Sequence, residues 1–306
     1  MTPIVRDFRP DDAEAVAAVR RAALPFMVTT PEGIAFEVDQ ASPAARYRLL
    51  VAEEDGEVTG TARVGLAHQS PTPGQAFVNA YVHPGHRGRG AGSLIVTTAE
   101  AYLAGEGAAQ VYSWVLDEPH FRTFAERRGY RPSRPAHFLR LDLSNGELPP
   151  LEEPPAGYEL RAAADFADDP RPLFEAEAEC TADEPSDIAA ELDDYEDWLA
   201  DTWSHPDLDR DLTMVAVADG KVVAFSAART DGHTRYASGM TGTLRTHRGR
   251  GLARLVKNHS LHRARAAGCT EAFTGNDADN GPMLAVNKWF GYDICATEVR
   301  HVRELG

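Results

Sequence analysis

The chain has 306 residues, of which 43% are hydrophobic and 25% charged, and a formal net charge of −16. That length suits about two ordinary domains, each with its own core, and the acidic balance argues against a nucleic-acid binder, because phosphate backbones reward basic surfaces. Cys180, Cys269 and Cys295 show no CxxC spacing, the amino terminus has no apolar leader, and no run approaches the roughly 20 apolar residues of a membrane span, so a soluble cytoplasmic protein without a membrane partner is expected.

In chain order, residues 4–9 read as a strand, 11–23 as a helix capped by Asp11 or Asp12, and 47–53, 58–66 and 76–82 as a strand meander with Asp55-Gly56 in a turn. The glycine-rich turn Arg87-Gly88-Arg89-Gly90-Ala91-Gly92 follows. Ile95, Ala99, Tyr102 and Leu103 then recur at helical spacing, before a strand over 110–116, a short helix over 121–128 and a last strand over 137–143. Residues 144–157 hold four prolines and two glycines, which exclude regular structure.

The order then repeats. A strand begins at Tyr158, two acidic helices lie between Asp165 and Trp203, and 213–217, 222–228 and 236–244 form a second meander with Asp219-Gly220 in its turn. A second glycine turn, Arg248-Gly249-Arg250-Gly251-Leu252-Ala253, stands 161 residues after the first, and helix, strand, helix and strand run on to Glu304. The expected domains are 1–145 and 157–306, with a proline-rich linker over 146–156.

Successive N–H groups in a glycine-rich turn converge on one point, and the free N–H groups of the helix that follows add to the attraction for a phosphate. A Rossmann turn would follow the first strand of a parallel βαβ unit, whereas these turns follow a meander. An α+β fold is therefore expected, each half a mainly antiparallel twisted sheet with helices on both faces.

Arg-x-x-Gly-x-Gly/Ala between a strand and a helix, with Gly129-Tyr130 and Gly291-Tyr292 about 40 residues later, resembles the acetyl-CoA site of the GNAT superfamily of N-acetyltransferases. Both halves match it, over nearly the whole chain, which implies a tandem GNAT protein that moves an acetyl group from acetyl-CoA to a primary amine of a small molecule. The resemblance implies coenzyme contacts from Tyr81, Val82 and residues 87–92 (Arg87, Gly88, Arg89, Gly90, Ala91, Gly92) in the first half. In the second it implies Gly242, Thr243, Arg248, Gly249, Arg250, Gly251, Leu252, Ala253 and Asn280.

Many relatives protonate the leaving sulfur with a tyrosine four residues before Gly-aromatic. That position holds Ala125 in the first half and Asn287 in the second, and the asparagine that commonly holds the pantetheine is Glu118 in the first and Asn280 in the second. Catalysis is expected in the second half, with Asn276 and Asn287 as its candidate residues and the general base open. The alternatives are catalysis in the first half or a coenzyme-gated binding protein without turnover.

Residues 151–212 carry 21 acids against Arg161, Arg171 and Arg210. They form either a solvated helical surface or a field that draws in a cationic acceptor. His259 and His262 share a helix face with Lys257, Arg263 and Arg265, whose charges would repel a metal ion, so a solvated basic face and no metal are expected. Arg254 and Lys257 either reach the coenzyme's outer phosphate or are solvated. Trp198, Trp203, Tyr130 and Tyr292 are expected in the core. The sequence leaves the oligomeric state open.

Overall fold

The computed structural model describes residues 3–184, 186–188 and 191–305. Its first half runs β1 (Ile4–Asp7), α1 (Ala13–Ala23), α2 (Pro31–Asp39), β2 (Arg48–Glu54), β3 (Glu57–Leu66), β4 (Gln75–Val82), α3 (Ala91–Gly105), β5 (Gln110–Leu116), α4 (Pro119–Glu126) and β6 (Arg131–Asp142). The second runs β7 (Glu159–Ala162), α5 (Arg171–Thr181), α6 (Tyr195–Trp198), β8 (Met214–Ala218), β9 (Lys221–Thr230), β10 (Arg235–Thr243), α7 (Leu252–Ala266), β11 (Glu271–Asp277), α8 (Gly281–Trp289) and β12 (Asp293–Glu304). Most expected elements are present. The helix α2 is an addition, begun by Thr30, whose hydroxyl accepts from the N–H of Gly33 at 2.9 Å, with Pro31 at its first position.

Two compact units form. Unit 1 comprises Met1–Ala136, Asp187–Ala189 and Ala296–Gly306; unit 2 comprises His137–Ser186 and Ala190–Cys295. These units differ from a sequential split at the proline-rich segment by two strands. Glu298–Glu304 of β12 pair antiparallel with β5, and so complete unit 1 rather than the half they belong to in sequence. The later part of β6 belongs to unit 2, where Leu139 and Leu141 join a core with Tyr236, Leu261, Phe290 and Tyr292.

In unit 1 the strands lie in the order β1-β2-β3-β4-β5-β12, antiparallel except for β4 beside β5. Strand alternation decides which helix each residue meets. Leu50, Ala52, Ala62 and Val64 pack against Ile95, Ala99 and Leu103 of α3, while Leu49 and Val51 pack with Val16 and Ala17 of α1 and Ile34 of α2. Helices thus cover both faces. Unit 2 repeats the plan, with Trp198 and Trp203 buried as expected beside Leu173, Val215 and Phe225. The two Asp-Gly turns also repeat, each with positive φ at both residues (Asp55 55°, Gly56 82°; Asp219 51°, Gly220 77°), the geometry that matches a hairpin's twist.

The proline-rich segment lies along α7. His259 Nε2 meets the Glu152 carbonyl at 2.7 Å, His262 Nε2 meets that of Pro149 at 2.8 Å, and Asn258 bonds the backbone of Pro150 and Glu152. The two histidines are therefore not a solvated basic face. Prolines offer carbonyls without N–H groups, and donors on α7 satisfy them. Among the described residues no helix is long and apolar enough to cross a membrane.

Candidate active site

The parallel strands β4 and β5 pair only over Gln75–Phe77 and Gln110–Tyr112. Beyond that their ladder ends, and the Asn79 side-chain oxygen accepts from the Trp114 N–H at 3.0 Å. A cavity of about 110 Å³ opens where they part, walled by Tyr81 and Val82 from β4, Ser113 and Trp114 from β5, Arg87 from the glycine turn and Glu298 from β12. In unit 2, β10 and β11 also stop pairing early, after Ser238 and Thr274, and β10 shifts register between Ser238 and Thr241.

Both glycine turns take one shape. Gly88 and Gly90 have φ of 79° and 98°, Gly249 and Gly251 of 75° and 77°, a region that costs other residues roughly 1–2 kcal/mol. A Cβ at Gly88, Gly90 or Gly249 would meet nothing within 4 Å, so backbone conformation alone selects glycine there. The first arginine of each turn reaches back to the end of the preceding strand: Arg87 Nε donates to the Val82 carbonyl at 3.3 Å, and Arg248 Nε to that of Thr243 at 3.0 Å. Each turn then opens a 15-residue helix, α3 or α7, whose first N–H groups have no partner within the helix. The arrangement suits a phosphate.

Glu298 and Tyr81 on the wall of the cavity of unit 1 adjoin a charge cluster that sequence reasoning missed. Glu298 faces the cavity with its carboxyl pushed up to about 7, because burial disfavours the charged form. Burial likewise raises the phenol of Tyr81, which also feels Arg20, Arg63, Glu298 and Glu37. Arg20 Nη1 donates to Glu37 at 3.1 Å, Arg63 Nε lies 3.4 Å from the same carboxylate, and the Tyr47 hydroxyl bonds it at 3.3 Å. Register brings the group together, since Thr61 pairs with Tyr81 and Arg63 with Asn79, on the face that meets α1. Glu298 could not be found by local pattern, for it lies far along the chain from the residues it joins.

The structure does bring Asn276 and Asn287 together. The Asn287 amide donates to Asn276 Oδ1, and Lys257 Nζ donates to Asn287 Oδ1 at 2.5 Å. Lys257 and Asn287 are both 0% exposed. Neither a phosphate contact nor a solvated face therefore describes Lys257, which burial pulls down to about 7 and which lies 4.9 Å from the centre of the Tyr292 ring. The matching positions of the repeat in unit 1 are Val96, Val115, Ala125 and Tyr130, and all four line the cavity.

The other expected positions in unit 2 are engaged internally. Asn280 caps α8 by accepting from the Met283 N–H at 3.3 Å. Cys180 packs so closely on Gly242 that a Cβ there would stand 2.6 Å from its sulfur. Asp183 bonds both Arg245 and Arg248, whose guanidinium groups hold its carboxyl down to about 2. Arg250 donates to the Tyr158 hydroxyl at 2.6 Å, and Arg254 lies 3.0 Å from Glu152. In unit 1, Arg89 stands 3.9 Å from Glu54, while Gly92 lies beside Val82. Among the described residues, no group of three or more His, Cys, Asp or Glu is placed to hold a metal.

The model of the acetyltransferase (GNAT) family matches residues 15–130 and again 167–292. A mycothiol acetyltransferase of Nocardia farcinica is 31% identical over 91% of this chain and 90% of its own length, and one of Clavibacter michiganensis subsp. michiganensis is 30% identical over 84% and 83%. Among solved structures, a GCN5-related N-acetyltransferase from Sphaerobacter thermophilus superposes with a TM-score of 0.70 at 26% identity, covering 99% of this chain and 95% of that one. A tandem GNAT protein from the clavulanic acid biosynthesis pathway does so with a TM-score of 0.72 at 21% identity and 99% of both chains, a likeness of fold. The chain belongs to the acetyltransferase (GNAT) family, as an N-acetyltransferase built of two GNAT repeats.

Proposed function

We propose that the chain transfers the acetyl group of acetyl-CoA to the primary amine of a small molecule, in the cleft of unit 1. The observation that carries this reading is Glu298 on the wall of the cavity formed where β4 and β5 part. Acetyl-CoA supplies the acyl group as a thioester. The turn over residues 87–92 and the start of α3 offer its phosphates N–H groups, and the backbone of Tyr81 and Val82 lines the way from that turn into the cavity. The acceptor ammonium gives its proton to the Glu298 carboxylate, and the freed lone pair forms the C–N bond. As the C–S bond breaks, sulfur leaves as a thiolate and takes up the second proton that the acylated nitrogen sheds, giving the neutral amide and the free thiol, with the first proton held on Glu298.

Unit 2 supports this assignment by contrast, because Lys257, Asn287 and Asn276 bond one another where unit 1 has Val96, Ala125 and Val115. Of the two readings of the acidic segment, a field for a cationic acceptor finds no support in this cleft, because no residue of 151–212 lines the cavity of unit 1. Several of those acids are engaged internally, as Asp183 is by two arginines and Glu177 by the Trp198 N–H at 2.9 Å. The test is release of free thiol from acetyl-CoA against a panel of amines. Turnover that Glu298→Gln lowers by roughly 100-fold supports the reading, whereas full activity in that variant assigns the chemistry elsewhere.

A further inference from the structure

Arg20 is only 7% exposed, on the face of α1 that one turn later presents Ala23 and Leu24 to the cavity wall. Its Nη1 reaches Glu37, but its Nε and Nη2 are buried and bond nothing. Arg63 turns its Nε toward the same carboxylate at 3.4 Å, and its side chain stays 37% accessible. Glu37 is the carboxylate that both arginines share, and Tyr47 occupies it further. Two guanidinium groups thus share one carboxylate near Tyr81, and that of Arg20 has N–H groups left to give.

A buried guanidinium with unused donors is costly, and an anion of the right shape relieves it. The planar fork of arginine matches a carboxylate in particular. We infer that the acceptor amine also bears a carboxylate, as an amino acid or short peptide does, and that Arg20 and Arg63 bind this group while the amine lies at Glu298. This rests on acetyl transfer in the same cleft. The arginines set which amine is taken and play no part in the proton transfer, so their loss is read in selectivity.

The experiment compares kcat/KM for amino acids and dipeptides with that for their C-terminal amides, with spermidine, glucosamine and glucosamine 6-phosphate alongside. The wild-type protein is expected to favour the free acid by roughly ten- to hundred-fold over the matching amide. Arg63→Gln should cut that ratio by about tenfold or more, Arg20→Lys should restore part of what Arg20→Gln loses, and Arg21→Gln, at a half-buried arginine that pairs with Glu14 instead, should leave it alone. Thermal melts of each variant separate lost folding from lost selectivity, and Arg63, being partly accessible, is the safer substitution.

Equal use of acid and amide, or a polyamine as best acceptor, overturns the carboxylate inference and leaves acetyl transfer standing. A strong preference for glucosamine 6-phosphate over both glucosamine and the amino acids overturns it in favour of a phosphate. Absence of thiol release with every amine would sink acetyl transfer in this cleft and the inference together.

Discussion

Val96 of α3 and Lys257 of α7 occupy the same position in the two repeats, yet Val96 lines an open cavity and Lys257 is buried against Asn287 and the Tyr292 ring. One substitution pattern therefore separates the clefts. Apolar walls with a carboxylate at one side leave room for substrate in unit 1, whereas a hydrogen-bonded polar chain crosses the matching space in unit 2.

Lys257 makes unit 2 sensitive to pH. Burial lowers it from 10.5 to about 7, so between those values the unfolded chain holds a proton that the native state has released. Stability is expected to rise with pH across that window, and to be lowest below about 7, where the buried amine is charged. Lys257→Met should flatten the dependence and raise stability near pH 6 by a few kcal/mol, roughly 2–4. Urea unfolding at a series of pH values checks it, and an unchanged slope would sink the argument.

Glu298 has the opposite sign. Its carboxyl is raised from 4.5 to about 7, so in that window the native state keeps a proton that the unfolded chain loses, and stability falls as pH rises. Activity should do the reverse, rising through about pH 7 as the base ionises. Glu298→Gln is expected to abolish that limb of the rate profile and to stabilise unit 1 at pH 8 by roughly 1–3 kcal/mol, with no gain at pH 4. Paired pH–rate and pH–melting curves test both halves.

Gly90→Asp and Gly251→Asp impose similar backbone strain, since φ is 98° and 77°, but place a carboxylate in different turns. Gly90→Asp should remove acetyl transfer through repulsion of the coenzyme phosphates, while Gly251→Asp should keep most of it. Loss confined to Gly251→Asp would move catalysis to unit 2.

Truncation after Cys295 removes the strand residues that pair with β5 and the carboxylate at the cavity. It should destabilise unit 1, although the deleted residues follow unit 2 in sequence. Hydrogen exchange would show early exposure of the β5 amides, with α7 still protected; the reverse pattern would contradict the exchange of strands between units.

Much of the architecture was legible because it is governed locally. The Asp-Gly turns, the paired glycines at positive φ, the alternation of β2 and β3 and the stripe of Ile95, Ala99 and Leu103 each follow from short-range geometry. The repeat spacing of 161 residues then marked the duplication. Even α2 carried its signal in Thr30-Pro31, a cap followed by a proline.

The open cleft, the carboxylate on its wall and the arginines near Tyr81 were decided by tertiary structure. Strand pairing is chosen by complementary edges and buried side chains over the whole fold, so nothing near Glu298 in sequence says that β12 runs beside β5. The same holds for Lys257, whose neighbours His259, His262 and Arg263 suggest a wet basic surface until packing turns the lysine inward and the proline-rich segment covers the histidines. Sequence thus determined the repeated fold and its glycine-rich turns, through dihedral preference and periodicity. Long-range packing alone decided which cleft stays open and which charges stand in it, because burial and charge pairing are properties of position in space.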